Sequence, residues 1–490
     1  MNLSLFILVP VLTLLGILLA KANLARIIAL AGSFAQLGLA IGLLFSYLAL
    51  PETSHLAFEE THVWFAQWNI NYHIGIDGIS LAMILLTSVV LVAGVLVSWN
   101  METQPKEFFF LLVMLATGAY GFFISVDLFT QFFFFELAVI PKYLLIANWG
   151  SGKKEYAAMK LALMLMGGSS LVLIGILGLY YFSVQAGSPT FDMQAIANLN
   201  LSVEQQLFIF PFLFVGFGVL SAMFPFHTWA PDGHSSAPTA ASMFLAGISM
   251  KLGGYGCLRV ATWLLPDAAR EYSDCIIVLA CIGIFYGAFV TLRQRDIKLM
   301  NAYSSVSHCG FVLLGIGMLT KTAMVGAVLQ MVSHGIMTAL FFAVIGMIYQ
   351  RTHTRMGDEM GGLFKVMPFL GSVFIIAGLT SLGLPGFSGF VAEMTVFVGS
   401  WQVPDLFHRT ATILATMSIV VTAVYILRGV GVTLWGPIKN EFAQLTDAAW
   451  NEKLASIILV ASIIVMGTMP WWLSDMISKT TETLFGAVIK

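Results

Sequence analysis

The sequence predicts an all-α protein that crosses a membrane about fourteen times. Three observations predict it. Of 490 residues, 59% are hydrophobic and only 10% charged, whereas soluble domains run near 45–50% apolar and 25% charged. Apolar runs long enough to span a bilayer, about 20 residues each, recur along the whole chain. No polar stretch between them reaches 30 residues, so no soluble domain interrupts the pattern.

The runs lie near 3–20, 27–50, 78–98, 107–126, 128–149, 157–184, 206–226, 239–265, 273–292, 300–319, 323–348, 363–401, 410–434 and 454–473. The first lacks a basic start and a small-residue cleavage site, and is expected to be helix one rather than a signal peptide. Between the second and third, residues 51–77 contain no Lys or Arg, and the alternation HVWFAQWNINYHIGI predicts a short surface hairpin. The seventh run meets Pro225 and the polar loop HTWAPDGHSSAPT. The twelfth is too long for one straight helix and is interrupted by Gly383-Leu384-Pro385-Gly386. It reads as a single broken helix, because Gly and Pro free backbone groups that a buried site can use.

Charge distribution predicts orientation. Of 23 Lys and Arg residues, fifteen fall in loops on the side away from the termini, six on the terminus side and two, Lys142 and Lys251, inside spans. The bias places both termini outside the cytoplasm of a bacterial inner membrane. Net charge is −2, which leaves no basic excess for nucleic acid. Cys257, Cys275, Cys281 and Cys309 include no Cys-x-x-Cys pair, so no iron–sulfur or zinc ligand set is expected. No Gly-rich dinucleotide fingerprint follows a strand.

Each charge at the centre of a span costs roughly 2.5–3.5 kcal/mol on insertion scales. Glu136, Lys142, Lys251 and Glu393 bear that cost. Lys142 lies within about eight residues of its span's end at Gly150, on the basic side, and is expected to snorkel. The other three are expected to be functional. Two carboxylates and a lysine are the parts of a proton relay, and His308 and His334, also within spans, extend it by accepting on one ring nitrogen while donating from the other. A lone His is more often an interhelical hydrogen-bonder. The serines and threonines nearby are as readily explained by close helix packing.

FFFFELAVIPKYLLIANWG, FPFHTWAPDGHSSAPTAASMFLAGISMKLGGYG, QRDIKLMNAYSSVSHCGFVLLGI, QMVSHGIMTALFF and GLPGFSGFVAE resemble the antiporter-like membrane subunits of respiratory complex I. That family includes the large subunits of multi-subunit cation/proton antiporters. The similarity covers about residues 70–435. Glu393 stands where N-type and D-type chains carry Lys, and 490 residues leave no room for the lateral helix of L-type chains. The resemblance is therefore to the M-type branch.

It implies N-terminal helices and hairpin over 1–106, two inverted five-helix repeats over 107–265 and 266–434, each with a broken helix, and a last helix within 435–490. It also implies a place in a membrane arm, among lipid, between N-type and L-type neighbours. NADH, FMN, iron–sulfur clusters and quinone would be held by partner subunits, with no cofactor on this chain. Carried over by motif, Glu136 matches the fifth-helix glutamate, Lys251 the eighth-helix lysine, Glu393 the twelfth-helix glutamate, and His308 and His334 the histidines of helices ten and eleven. His227, Asp232 and His234 fall in the loop expected to shape a cytoplasmic entrance. Protons would move along this axis, driven by quinone reduction elsewhere in the complex.

One departure stands out. The family usually reads V-K-x-P-x-x-P-x-H in helix seven, its Lys paired with the fifth-helix Glu. Here the stretch is Val219-Leu220-Ser221-Ala222-Met223-Phe224-Pro225-Phe226-His227. Lys142 is a conceivable substitute, but six residues turn a straight helix by about 240°, so a pair within one helix requires a kink at Pro141. Two other readings stay open: a spacer subunit that has lost its pump, favoured by Leu220, and a cation/proton antiporter subunit, disfavoured by Glu393.

Overall fold

In a computed structural model of the chain, residues 2–50 and 56–489 are described; part of the predicted external segment, 51–55, lies outside the described residues. The spanning helices are α1 (Leu5–Leu19), α2 (Ala25–Leu48), α3 (Gly78–Val97), α4 (Pro105–Ile124), α5 (Leu128–Trp149), α6 (Lys154–Gln185), α7 (Val203–Leu220, continued by Trp229–Ser236), α8 (239–262), α9 (Ser273–Arg293), α10 (Ile297–Gly317), α11 (Lys321–Thr352), α12 (Pro368–Ser381 and Ser388–Trp401), α13 (Leu406–Leu434) and α14 (Trp450–Thr468). Eleven are long and apolar enough to cross a membrane as single helices, and α1, α8 and the two-part α12 complete the fourteen.

The starts are chemically marked. Asp77, Asp127 and Asp296 cap α3, α5 and α10 by accepting the first free backbone N–H groups, and Ser202 with Gln205 forms a capping box at α7. In hydrocarbon such caps matter more than in water, since nothing else satisfies those donors. The α11 interior is entirely enclosed and those of α3 and α10 nearly so, whereas α6, α9 and α13 keep most of their surface for lipid. The core of the fold is therefore α11 with α3, α8 and α10 around it.

The predicted hairpin is present: β1 (Ala57–Phe65) pairs antiparallel with β2 (Ile70–Ile76), with Thr61 opposite His73. His73 joins it to the body, its Nδ1 2.5 Å from Asp192 and its Nε2 2.8 Å from Glu59. Leu3 N and Ser4 Oγ donate to Glu60 on the same face. The last helix differs from expectation. The run at 454–473 stops at Thr468, and a separate helix α15 (Trp471–Phe485) follows. Met469-Pro470 ends the span, and the polar positions of WWLSDMISKTTETLF keep α15 at the surface, where Thr480 accepts from Gly78 N on the hairpin side. Both chain ends thus lie on the hairpin side, opposite the lysine- and arginine-rich loops.

Candidate functional site

Three spanning helices are locally irregular, and the charges of Lys251 and Glu393 lie beside two of the irregularities. In α8, two π-turn segments, Leu245–Ser249 and Cys257–Thr262, flank Met250–Gly256. The wider turn exposes a carbonyl to side-chain donors, and Ala246 O accepts from Lys251 Nζ at 2.6 Å. Gly253 lets the lysine-bearing segment press on the end of α7: a Cβ there would meet Ser221 N at 2.4 Å. The α7 break begins at Leu220, with Ala222 at φ +55°. In α12 the break runs through Gly383 (φ +73°) and Gly386 (φ +95°). A Cβ on Gly383 would lie 2.6 Å from Glu393 Oε2. The break therefore bares a patch of backbone against which the carboxylate sits.

Four of the predicted groups form one chain. Lys251 Nζ is 2.8 Å from His334 Nδ1. The His334 ring stacks on His308, centroids 5.2 Å apart at 26°. His308 Nδ1 lies 3.4 Å from Glu393 Oε1, and its Nε2 3.0 Å from Ser381 Oγ at the edge of the α12 break. Lys251, His334, His308 and Glu393 are all at most 4% exposed. The chain runs from the first five-helix set, through α11 and α10, to the α12 break. His334 Nε2 has no protein partner among the described residues.

Two further groups hold this chain. Gln330, which sequence reasoning missed, has Nε2 3.2 Å from His308 Nδ1, the atom that also faces Glu393. Ser333, one of the nearby serines read as hydrogen-bonding or packing residues, donates its Oγ to Ser388 Oγ at 2.9 Å, tying α11 to the second half of α12. Gln330 was detectable, since it and His334 are four apart on one helix and share a face.

The remaining predicted residues are placed elsewhere. Glu136 is partly exposed, its Oε1 enclosed and without a hydrogen-bond partner among the described residues. Lys142 does not snorkel as expected: it is fully enclosed, with Nζ unpartnered. Eight residues of helix rise about 12 Å, beyond the reach of a lysine arm. His227 is wedged against Phe224 and Tyr286, its centroid 4.7 Å from the latter. Asp232 is engaged with Lys160 at 2.7 Å. Neither touches the Lys251 chain.

His234 is placed differently from the other two groups of that loop. It is fully enclosed between the Trp229 and Phe342 rings, with both nitrogens unpartnered among the described residues. The charges acting on it are Lys251 and Lys298. Lys298 Nζ donates to Ala237 O at 2.5 Å and lines a cavity of about 330 Å³ on the basic side, together with Glu102, Thr239 and Arg355. Among the described residues no cluster of three or more His, Cys, Asp or Glu is arranged to hold a metal.

Comparison with known proteins agrees with this architecture. Residues 125–422 match the family described as NADH:quinone oxidoreductase/Mrp antiporter, TM. Similar sequences include an NAD(P)H-quinone oxidoreductase chain 4 of Picosynechococcus, 37% identical over 437 residues, 88% of this chain and 82% of that one. A second, from Synechocystis, is 36% identical over 435 residues, with the same coverages of 88% and 82%. Among solved structures, respiratory complex I from Thermus thermophilus with bound NADH contains a chain that superposes with TM-score 0.91, 24% identity and full coverage of both. The Mrp complex from Dietzia gives 0.85 at 18% identity, covering 100% of this chain and 99% of that one.

Proposed function

The chain belongs to the NADH:quinone oxidoreductase and Mrp antiporter membrane-subunit family, and from that premise we propose that it translocates protons along the Lys251–His334–His308–Glu393 axis of a complex I-type enzyme. The observation that carries this reading is the axis itself: a lysine and a carboxylate joined through two stacked imidazoles, all enclosed at the membrane interior. Enclosed ionisable groups in a membrane are costly to place, and the cost is explained if their charge changes during work.

Lys251 is the central carrier. Its three donors find Ala246 O and His334 Nδ1, so the ammonium form has a place to rest and an imidazole to pass its proton to. His334 relays to His308, and Glu393 receives the proton at the α12 break. Protons reach Lys251 from the basic side, through the cavity at Lys298 and past His234. No redox group belongs to this route; quinone reduction on partner subunits, N-type and L-type neighbours included, supplies the driving charge movement. The bacterial inner membrane houses the assembly, with the hairpin and both chain ends on its non-cytoplasmic face.

A spacer role competes on one observation, Leu220 in α7 and the unpartnered Glu136 that accompanies it. The test is the proton-to-electron ratio of the intact complex in sealed vesicles, wild type against Glu393→Gln. Gln preserves shape and hydrogen bonding but carries no proton. A lower ratio, or loss of coupled turnover in an assembled complex, is expected. An unchanged ratio and rate would leave the chain a spacer.

A further inference from the structure

Lys142 is an enclosed side chain that the Lys251 axis does not use. It sits on α5, fully buried, and its Nζ has no hydrogen-bond partner among the described residues. About one and two-thirds turns away, toward the hairpin side, Glu136 Oε1 is likewise enclosed and unpartnered among the described residues. Glu136 is the opposite charge that acts on Lys142, yet the two do not approach within the 4 Å of an ion pair among the described residues. Two other enclosed pairs of this chain join opposite charges directly: Arg259 with Asp77, and Arg351 with Glu452 at 2.6 Å. A cation and a carboxylate left apart in one helix are poor structural elements, because isolated buried charge is more costly than a pair. Pro141 lies between them and withdraws one backbone N–H from the helix ladder, which frees the Leu137 carbonyl between the two groups for a polar bridge.

We propose that Lys142 is a second proton-carrying residue, exchanging a proton with Glu136 through bound water along the Pro141 turn. In the exchange the Lys142 ammonium gives a proton to the Glu136 carboxylate, leaving an amine and a carboxylic acid, and net charge is unchanged. The amine is recharged from the basic side, toward which α5 runs at Trp149. The geometry suits transfer rather than storage, since rest as a tight ion pair would trap the proton.

This inference rests on the reading of the chain as a proton translocator, and its test separates the two. Lys142→Met keeps the volume and removes an unpaired buried charge, so the complex is expected to assemble at least as stably as wild type. In sealed vesicles the variant is expected to lose a measurable part of the proton-to-electron ratio, and Lys142→Arg, which holds its proton permanently, is expected to behave like Met. Infrared difference spectra on turnover supply a second readout: the protonated-carboxyl band that Glu136→Gln abolishes is expected to vanish or shift in Lys142→Met as well. A normal ratio with an unmoved band in Lys142→Met overturns the proposal. If Glu393→Gln is silent while Lys142→Met lowers the ratio, the Lys251 axis fails and the α5 route stands; the reverse result removes only the α5 route.

Discussion

Gln330 offers the sharpest test of how His308 hands on a proton. Its amide Nε2 is 3.2 Å from His308 Nδ1 and Glu393 Oε1 is 3.4 Å from the same atom. A ring nitrogen either donates or accepts. Carrying hydrogen, Nδ1 donates to Glu393; bare, it accepts from Gln330. Delivery of the proton to Glu393 converts the first state into the second, and the Gln330 N–H stabilises the second. Gln330→Met keeps the side-chain size and removes that donor. A neutral hydrogen bond contributes about 0.5–1.5 kcal/mol net. Taking about 1 kcal/mol, the post-transfer state becomes about fivefold less populated, at 1.36 kcal/mol per factor of ten.

Because Gln330 Oε1 has no partner among the described residues, replacing the amide forfeits only its bond to His308, and assembly should be normal. Coupled proton translocation in sealed vesicles is expected to slow by about fivefold, with quinone reduction slowed in step and largely restored by an uncoupler. An assembled Gln330→Met complex that pumps at the wild-type rate would refute the exchange of partners at Nδ1.

Two further outcomes follow from groups away from the axis. Burial alone would lower the His73 imidazole, but hydrogen bonds and charge from Asp192 and Glu59 raise it above its ordinary value. Burial would raise Asp192, yet His73 and the Ala195 N–H bring its carboxyl below the usual range. The raised imidazole contributes stability fully present below about pH 6.5 and lost as pH rises through its higher folded value; the lowered carboxyl contributes stability present above about pH 3.9 and lost as pH falls through its lower one. Protection of β1 and β2 against hydrogen exchange in the intact complex, taken relative to the intrinsic rate at each pH, should therefore be greatest in the acidic range between those limits, and Asp192→Asn should flatten the alkaline limb; pH-independent protection in wild type would count against the clasp. At the opposite face, Glu452 holds Arg351 through both oxygens, at 2.6 and 3.1 Å, and accepts from Ala449 N at the start of α14. Glu452→Ala leaves a mostly buried guanidinium short of its partner, expected to cost about 3–5 kcal/mol, with Glu452→Gln intermediate; thermal unfolding of the solubilised complex with equal midpoints in all three would exclude the pair as a clamp between α11 and α14.

The spans were legible because a bilayer leaves one solution to the backbone's hydrogen-bonding requirement, and apolar length alone reveals it. The hairpin was legible from alternation, and the α12 break from Gly383 to Gly386. What sequence could not supply was rotation of each helix about its axis. A membrane helix is apolar on all sides, so no polar face marks which way Lys142 points, and proximity to the span end suggested a surface the side chain does not reach. The same limit hid His234, which reads as a loop residue although the second part of α7 re-enters the protein. Lys298 was counted with the loop cations for the same reason. The π turns of α8 have no compositional signature at all.

The contrast between the fixed and the candidate mobile charges bears on why the axis has its form. Asp77–Arg259 and Arg351–Glu452 join opposite charges directly and lie toward the ends of helices, where one arrangement satisfies every partner. Lys251 and Glu393 are instead held apart by two imidazoles, and each lies beside an irregular backbone: the π turn at Ala246 and the break at Gly383. Stability would favour replacing such a separated set with apolar residues of similar volume. Its members have exchangeable partners, Ser381, Gln330 and Glu393 around His308 alone. A set that is expensive to bury, yet provided with alternative partners at His308 and two acceptors at Lys251, suits the proposed stepwise proton movement better than a static scaffold. By the same reasoning the first five-helix set, with Glu136 and Lys142 apart and no imidazole between them, either works through water or does not work, and the Lys142→Met measurement decides which.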